Sequence, residues 1–444
     1  MGEWEDLPLD LLRMIVDRLS LYDDKVRVAC VCKSWRPVFP EISDNKCLLL
    51  VPIMDDEDVD LDYDDDADAD YRASHALIDV VEKKETLCFL DLQNHMIKDR
   101  IYVGSSYGWL ISVETSPSIS IINPSTKFEI QLPPRFKFPD VLGYGAGEVV
   151  DPSDQQLEYS KPSHERHEYH LVGFRGHDFT QTPSFVRDFM TRKVILSSNP
   201  SLTTDYIAVA IHGINRGLAF CKPGDDKWSE IVGVSDVADI IFYNGELHAL
   251  TLEYELIEID TSPRVTQAFT FQSELIDIDT SRRVSLAERT RKDNKFVGPP
   301  HVEVDVCRSQ RYLVECCGQL LMVIPYDGED PHPDIDDMYF INGFVVYEFD
   351  MIECQWKLVK DIGDYALFVG LNTSLSFHIS QFPEVRRNVI YYTDSFLWVR
   401  KYGGFGGYDN GMFNLETGEL KELPGYKNNV LAIPPPIWIL LPHY

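Results

Sequence analysis

Beyond Cys47 the sequence never settles into a helical period. Short apolar or alternating runs follow one another, each closed by Gly, Pro, Asn or Asp. Among them are LCFLDL (87–92), GWLISV (108–113), SISIIN (118–123), KVILSS (193–198), YIAVAI (206–211), DIIFYNGELHAL (239–250), YLVECCGQLLMVI (312–324), FVVYEF (344–349) and NVIYYT (388–393). Val, Ile, Tyr and Phe dominate these runs, as in half-buried strands. Asn244-Gly245, between two apolar runs, predicts a two-residue hairpin, because both central positions of such a turn need positive φ. Cys317-Gly318-Gln319 is a weaker instance. A chain of roughly two dozen short strands must hide its strand edges, and ring closure is one way to do so.

A loose repeat supports closure. ISIINPSTKFEIQLP (119–133), LAFCKPGDDKWSEI (218–231), LIEIDTSPRV (256–265), FVVYEFDMIECQWKLV (344–359) and MFNLETGELKELP (412–424) each set an apolar strand before a polar turn. A basic residue and a hydrophobic anchor follow. CFLDLQNHMIKDRI (88–101) is a sixth candidate. Hairpins at blade-like spacing with no helices between them predict a β-propeller, with six blades favoured and seven open. Ile437–Leu441 is expected to pair with Cys47–Val51 and close the ring. The competing architecture is a sandwich, but one sandwich uses about 100 residues and seven strands, far fewer than this region offers. Glu255–Ser262 and Glu274–Ser281 nearly repeat, which reads best as a duplicated surface hairpin or loop, since such insertions cost little closure entropy.

The amino end is different. Leu7, Leu11, Leu12, Ile15, Val16 and Leu19 recur at three- and four-residue steps, one stripe of a helix. Asp6 suits its N-cap and Pro8 its first turn. A second helical run starts near Asp23 or Asp24 and carries Val26, Val28, Ala29, Val31, Cys32 and Trp35. Two or three short helices cannot bury enough apolar surface to fold alone. Their stripe must meet either the rest of this chain or another protein.

Leu7-Pro8, Leu11-Leu12, Ile15, Leu19 and Val31-Cys32-Lys33-Ser34-Trp35-Arg36 resemble an F-box. Asp23, Asp24 and Lys25 depart from the family's usual proline and leucines between the helices. The resemblance implies docking onto a Skp-type adaptor and, through it, a cullin. It makes Leu7, Pro8, Leu11, Leu12, Ile15, Val16, Leu19, Val31, Cys32 and Trp35 the adaptor contacts. Trp35 would also pin the helices together. GWL near 108–110, INPSTKFEIQLP and PPPIWILLP resemble the plant-specific, kelch-like domain of unknown function that follows many F-boxes. The expected fold is therefore mainly β: an all-α F-box module over 1–42, then a propeller over 43–444 with a disordered acidic loop at about 54–72. The function implied is that of a non-catalytic receptor recruiting a client protein to a ubiquitin ligase. A ligase-independent scaffold and, further off, a glycan-binding or hydrolytic propeller are the alternatives.

Charge narrows the partners. Lys and Arg total 41 against 72 Asp and Glu, a net charge of −31. Such a surface repels a phosphate backbone, so no nucleic acid is expected. No apolar run reaches the eighteen residues of a membrane span, and MGEWED is not a secretory leader. Cys30, Cys32, Cys88, Cys221, Cys316, Cys317 and Cys354 sit in apolar runs, which predicts buried reduced thiols and a nuclear or cytoplasmic protein.

Three constellations invite chemistry and are read as something plainer. Asp60-x-Asp62-x-Asp64 starts like a calcium loop but offers Asp65 and Tyr71 where an EF-hand needs Gly and Glu. His164, His167 and His170 recur every third residue in a stretch expected to be a loop; H-E-R-H is not a metalloprotease motif, and no metal is expected. Gly143-x-Gly145-x-Gly147 and Gly403–Gly407 open no helix pattern, so they are not phosphate cradles. No nucleophile elbow is present. The expectation is no cofactor and no catalytic residue.

Overall fold

The computed structural model describes residue 11 and residues 46–53, 74–79, 88–89, 100–146 except 125, 167–259 except 174–176, 284–285, 310–327, 341–393 except 372 and 381–384, 410–423 and 436–441. Strands β1 (Lys46–Ile53), β2 (Ser74–Asp79) and β3 (Cys88–Phe89) form an antiparallel meander. β4 (Arg100–Ser106), β5 (Trp109–Glu114), β6 (Ile119–Ile122) and β7 (Glu129–Leu132) form a second. A three-stranded sheet follows, made of β8 (Val141–Ala146), β9 (His167–Leu171) and β10 (Phe179–Gln181), then helix α1 (Pro183–Phe189). Four-stranded meanders resume with β11 (Thr191–Leu196), β12 (Ala208–His212), β13 (Gly217–Cys221) and β14 (Ser229–Ile231). The next is β15 (Val237–Tyr243), β16 (Glu246–Thr251), β17 (Leu256–Ile259) and β18 (Val284–Ser285). Another is β19 (Tyr312–Cys316), β20 (Gln319–Asp327), β21 (Ile341–Asp350) and β22 (Gln355–Val359). The last sheet holds β23 (Tyr365–Val369), β24 (Leu375–His378), β25 (Val389–Tyr392), β26 (Gly411–Asn414) and β27 (Leu420–Glu422), in the order β24-β23-β25-β26-β27. β28 (Ile437–Leu441) returns to the first sheet and pairs with β1 from Lys46↔Leu441 to Leu50↔Ile437, the closure the sequence predicts.

The first strands of these sheets touch in a closed order. β4 packs on β11, β11 on β15, β15 on β19, β19 on β23 and β24, and β28 on β4. Phe368 of β23 and Trp438 of β28 complete the circuit with ring centroids 5.1 Å apart. Among the described residues, six sheets thus form a ring, and the β8–β10 sheet stands outside it. Among the described residues, the inner strands of the ring sheets are buried on both faces. In β23, Leu367 and Val369 face the β19 side while Ala366 and Phe368 face Trp438, the alternation a pleated strand imposes. This is why the strands read as unbroken apolar runs.

Turn chemistry follows the backbone. Asn244 and Gly245 have φ of 52° and 85°, joining β15 to β16. Cys317-Gly318 and Tyr107-Gly108 adopt the same left-handed pair, the latter with no signal at its first position. Gly104 answers a different need: a methyl there would collide with the carbonyl oxygen of Val194, where β4 and β11 approach closely. Replacing Gly104 by Ala should cost about 1–3 kcal/mol, the usual penalty of overpacking, read as a lower urea midpoint.

Four expectations need correction. Cys88 and Arg100 do not open and close one hairpin: β3 ends one sheet and β4 begins the next, because their edges pair elsewhere. The β region is not free of helices. Thr182 Oγ1 accepts from Phe185 N–H and Pro183 takes the first turn, so α1 has a local start signal. The outer partner of β17 is β18, from 284–285, and not the run directly after it. Cys317 is exposed, because it occupies a positive-φ turn position, while Cys221 and Cys316 are buried and Cys354 is intermediate.

One segment breaks the meander rule. β23 and β25 are parallel, so the chain between them must cross over. On the way, Thr373 N–H donates to Ser105 O (3.1 Å), and Thr373 Oγ1 shares a 2.8 Å hydrogen bond with Ser106 Oγ. Ser376 Oγ, in β24, donates to Glu315 O of β19 (2.6 Å). The β4 and β19 sheets lie on opposite sides of the ring, so Thr373–Ser376 spans its axis.

Candidate interaction sites

The adaptor-contact residues Leu7, Pro8, Leu12, Ile15, Val16, Leu19, Val31, Cys32 and Trp35 lie outside the described residues. Leu11 is described: it is helical, and 49% of its surface is exposed. The acidic stretch 54–72, His164, Gly147, Gly403–Gly407 and the second copy of the near-repeat also lie outside them.

Two of the three histidines are in view, on strand β9 and not in the expected loop. An odd spacing on a strand sends them to opposite faces. His167 stacks on Tyr144 at 4.9 Å, and His170 Nδ1 lies 3.3 Å from Thr180 Oγ1. The structure does not bring them together. Among the described residues, no three His, Cys, Asp or Glu side chains are placed to hold a metal ion. Gly143 and Gly145 are in strand β8.

Two carboxylates, Asp239 fully buried and Asp140 nearly so, anchor polar clusters in the described core, and sequence reasoning singled out neither. Asp239, near the start of β15, forms a buried ion pair with Lys193 of β11. Its other oxygen accepts from Leu313 N–H of β19 (2.7 Å). One carboxylate therefore ties three consecutive sheets at the ring's inner wall. Asp140 follows the 3₁₀ turn Arg135–Lys137 that leads from β7 toward β8. It receives both terminal nitrogens of Arg135, at 3.0 and 2.7 Å, and Nδ1 of His212 at 2.9 Å. Burial pushes the Asp140 carboxyl up, but Arg135 and His212 outweigh it and hold the group well below the usual carboxylate range. Arg135 also lies 4.5 Å over the Phe138 ring, which stacks on Trp228, and Trp228 Nε1 donates to Pro133 O. This cluster docks the root of the inserted β8–β10 sheet against β12. Both acids are consumed by structural bonds. Neither points a free carboxylate into an open site.

Among the described residues, the turns at one end of the ring carry much of the exposed apolar surface. In a meander, the connections after the first and third strands emerge at one end. Tyr107, Phe128, Leu202, Met351 and Ile352 lie on such turns, and all are exposed large apolar side chains. Tyr107 OH donates to Ser197 O (3.1 Å), and Trp109 Nε1 lies 3.2 Å from both Asn199 Oδ1 and Ser201 Oγ. Phe128 meets the Trp109 ring edge-on at 6.3 Å.

Comparison with known proteins decides the family. The F-box domain model matches residues 4–39, and the KIB1-4 β-propeller model matches residues 77–414. The chain belongs to the KIB1-4 β-propeller family. Its N-terminal F-box and this KIB1-4 propeller together mark a plant F-box protein with a propeller domain. The Arabidopsis thaliana protein named "F-box protein At2g26160" is 24% identical over 90% of this chain and 97% of its own length. "F-box protein SKIP23", from the same plant, is 22% identical over 99% of this chain and 96% of its own. The match is to the KIB1-4 model specifically; the kelch-likeness expected of the region is a looser description. An F-box implies a Skp-type adaptor as partner, and the KIB1-4 propeller implies protein interaction.

Proposed function

We propose that this chain is the substrate-recognition subunit of a Skp–cullin–F-box type ubiquitin ligase. The observation that carries the proposal is the pairing of an F-box at residues 4–39 with a KIB1-4 propeller over 77–414 in one chain. The half-exposed Leu11 supports it, since an apolar helical residue in solvent suits a helix face that awaits a partner. In this reading Leu7, Pro8, Leu11, Leu12, Ile15, Val16, Leu19, Val31, Cys32 and Trp35 bind the adaptor, and the adaptor joins a cullin. A standard interface of about 1,600 Å² is expected, with a few central Leu and Trp side chains dominating. The propeller holds a client near the ubiquitin-charged enzyme. Tethering raises the client's effective concentration there, so this subunit contributes position and no catalytic group. Reduced cysteines fit the nucleus or cytoplasm as its place of work.

Co-purification with a recombinant Skp-type adaptor tests the adaptor arm. Changing Leu7 and Pro8 to Ala together should abolish capture and leave the thermal transition of the β domain where it was. Capture that survives the double change argues for the ligase-independent scaffold.

A further inference from the structure

The propeller end that carries Tyr107 is shaped for a particular kind of partner. Tyr107, Phe128 and Leu202 are 47%, 61% and 81% exposed, large values for apolar side chains gathered in one place. They come from three separate turns, yet one framework holds them. Trp109 sits beneath, with its indole N–H against Asn199 and Ser201 of the loop that carries Leu202. Phe128 abuts the same indole, and Tyr107 is tied by its hydroxyl to Ser197 at the root of that loop. The patch is therefore fixed before any partner arrives, which lowers the ordering cost of binding.

Its surroundings are acidic. Glu315 of β19 is exposed and close enough to help raise the Tyr107 phenol, after burial has done most of that work. Asp205 closes the loop of Leu202, its carbonyl accepting from Ser198 Oγ. Farther along the same end the charge is mixed: Asp225 and Asp226 share their turn with Lys222 and Lys227, Glu353 is paired with Lys357, and Lys127 sits beside Phe128. Thr373 crosses here, bonded to Ser105 and Ser106 next to Tyr107, so the axis is floored by the chain itself.

We propose that the Tyr107–Phe128–Leu202 patch, with Glu315 and Asp205 at its border, docks an extended polypeptide segment whose apolar side chains are flanked by Lys or Arg. Apolar anchors would cover the three side chains, and the flanking cations would meet the acids, which steer approach and reject acidic competitors. The inference rests on the receptor reading only in naming this partner a client.

Selection of phage-displayed, randomised linear peptides on the full chain tests it. The enriched peptides should carry apolar residues between basic ones. Binding of a selected peptide should fall at least about tenfold, roughly 1.4 kcal/mol, in the double variant Leu202→Ser, Phe128→Ser. Glu315→Gln should weaken the basic peptide and leave a lysine-free analogue unchanged. Both altered apolar residues are exposed, so the thermal transition should stay in place. The absence of enrichment, a preference for acidic peptides, or equal binding by the double variant would overturn the proposal. Adaptor capture by the same variants is measured in parallel and should not change; its failure in the unaltered chain would sink the ligase reading and leave the patch standing.

Discussion

Trp438→Ala should be the most destabilising single change in the propeller, costing about 3–5 kcal/mol as large core truncations do. Trp438 is fully buried on β28. Its ring meets Phe368 at 5.1 Å and Tyr391 at 6.4 Å, and its indole N–H donates to Val369 O at 3.2 Å. Its own carbonyl accepts from Ser105 Oγ of β4. One residue thus joins the β23 sheet to the β4 sheet, across the point where the chain's two ends pair to close the ring. Truncation opens a cavity at that seam, and a ring has no second closure to fall back on. Trp438→Phe is the milder test. It keeps one aromatic ring but loses the N–H and part of the indole's volume, while Val369 O keeps its bond from Thr393 N–H, so about 1–3 kcal/mol is expected. Urea midpoints of the two variants check both figures; near-equal midpoints would show that the seam is not held by packing.

Asp140→Asn should cost about 3–5 kcal/mol, because it leaves the buried Arg135 guanidinium without its countercharge. Arg135 is 1% exposed and Asp140 11%, so solvent screens this pair little. The effect carries a pH signature. The folded-state carboxyl is held below its ordinary value of 3.8, so the anion is favoured in the folded chain. A group of this kind contributes stability that is fully present above its unfolded value and is lost as pH falls through and below it. The unaltered protein should therefore lose stability on acidification below about pH 4, and Asp140→Asn should flatten that part of the profile. Thermal midpoints collected from neutral to acid pH would show it. A variant as stable as the parent at neutral pH, with the same acid slope, would mean that the cluster does not hold the insert.

Much of the β region was legible because its signals are local. Period-two runs, Asn244-Gly245 and the outer hairpins at 119–133, 218–231, 344–359 and 412–424 all correspond to paired strands. So does the pairing of Ile437–Leu441 with Lys46–Leu50. Where the reading failed, the deciding partner was remote in sequence. β3 and β4 looked like one hairpin, and only sheet membership separates them. β17 finds its outer neighbour at 284–285. The polar residues around His167 and His170 favour a loop there. Strand pairing with β8 and β10 overrides that local preference.

By itself, the sequence determined that the chain has two parts. Apolar residues at helical spacing at the amino end call for a partner, and a long array of short strands must hide its edges, since periodicity and turn chemistry act within a few residues. The tertiary structure alone decided which charges are buried, Asp239 in the wall of the ring and Asp140 at the root of the insert, and that Thr373–Ser376 runs across the axis. It also decided that Tyr107, Phe128 and Leu202 share one surface. Those outcomes depend on residues that are tens to hundreds of positions apart becoming neighbours, as His212 and Asp140 do, and no local pattern in the chain encodes such a meeting.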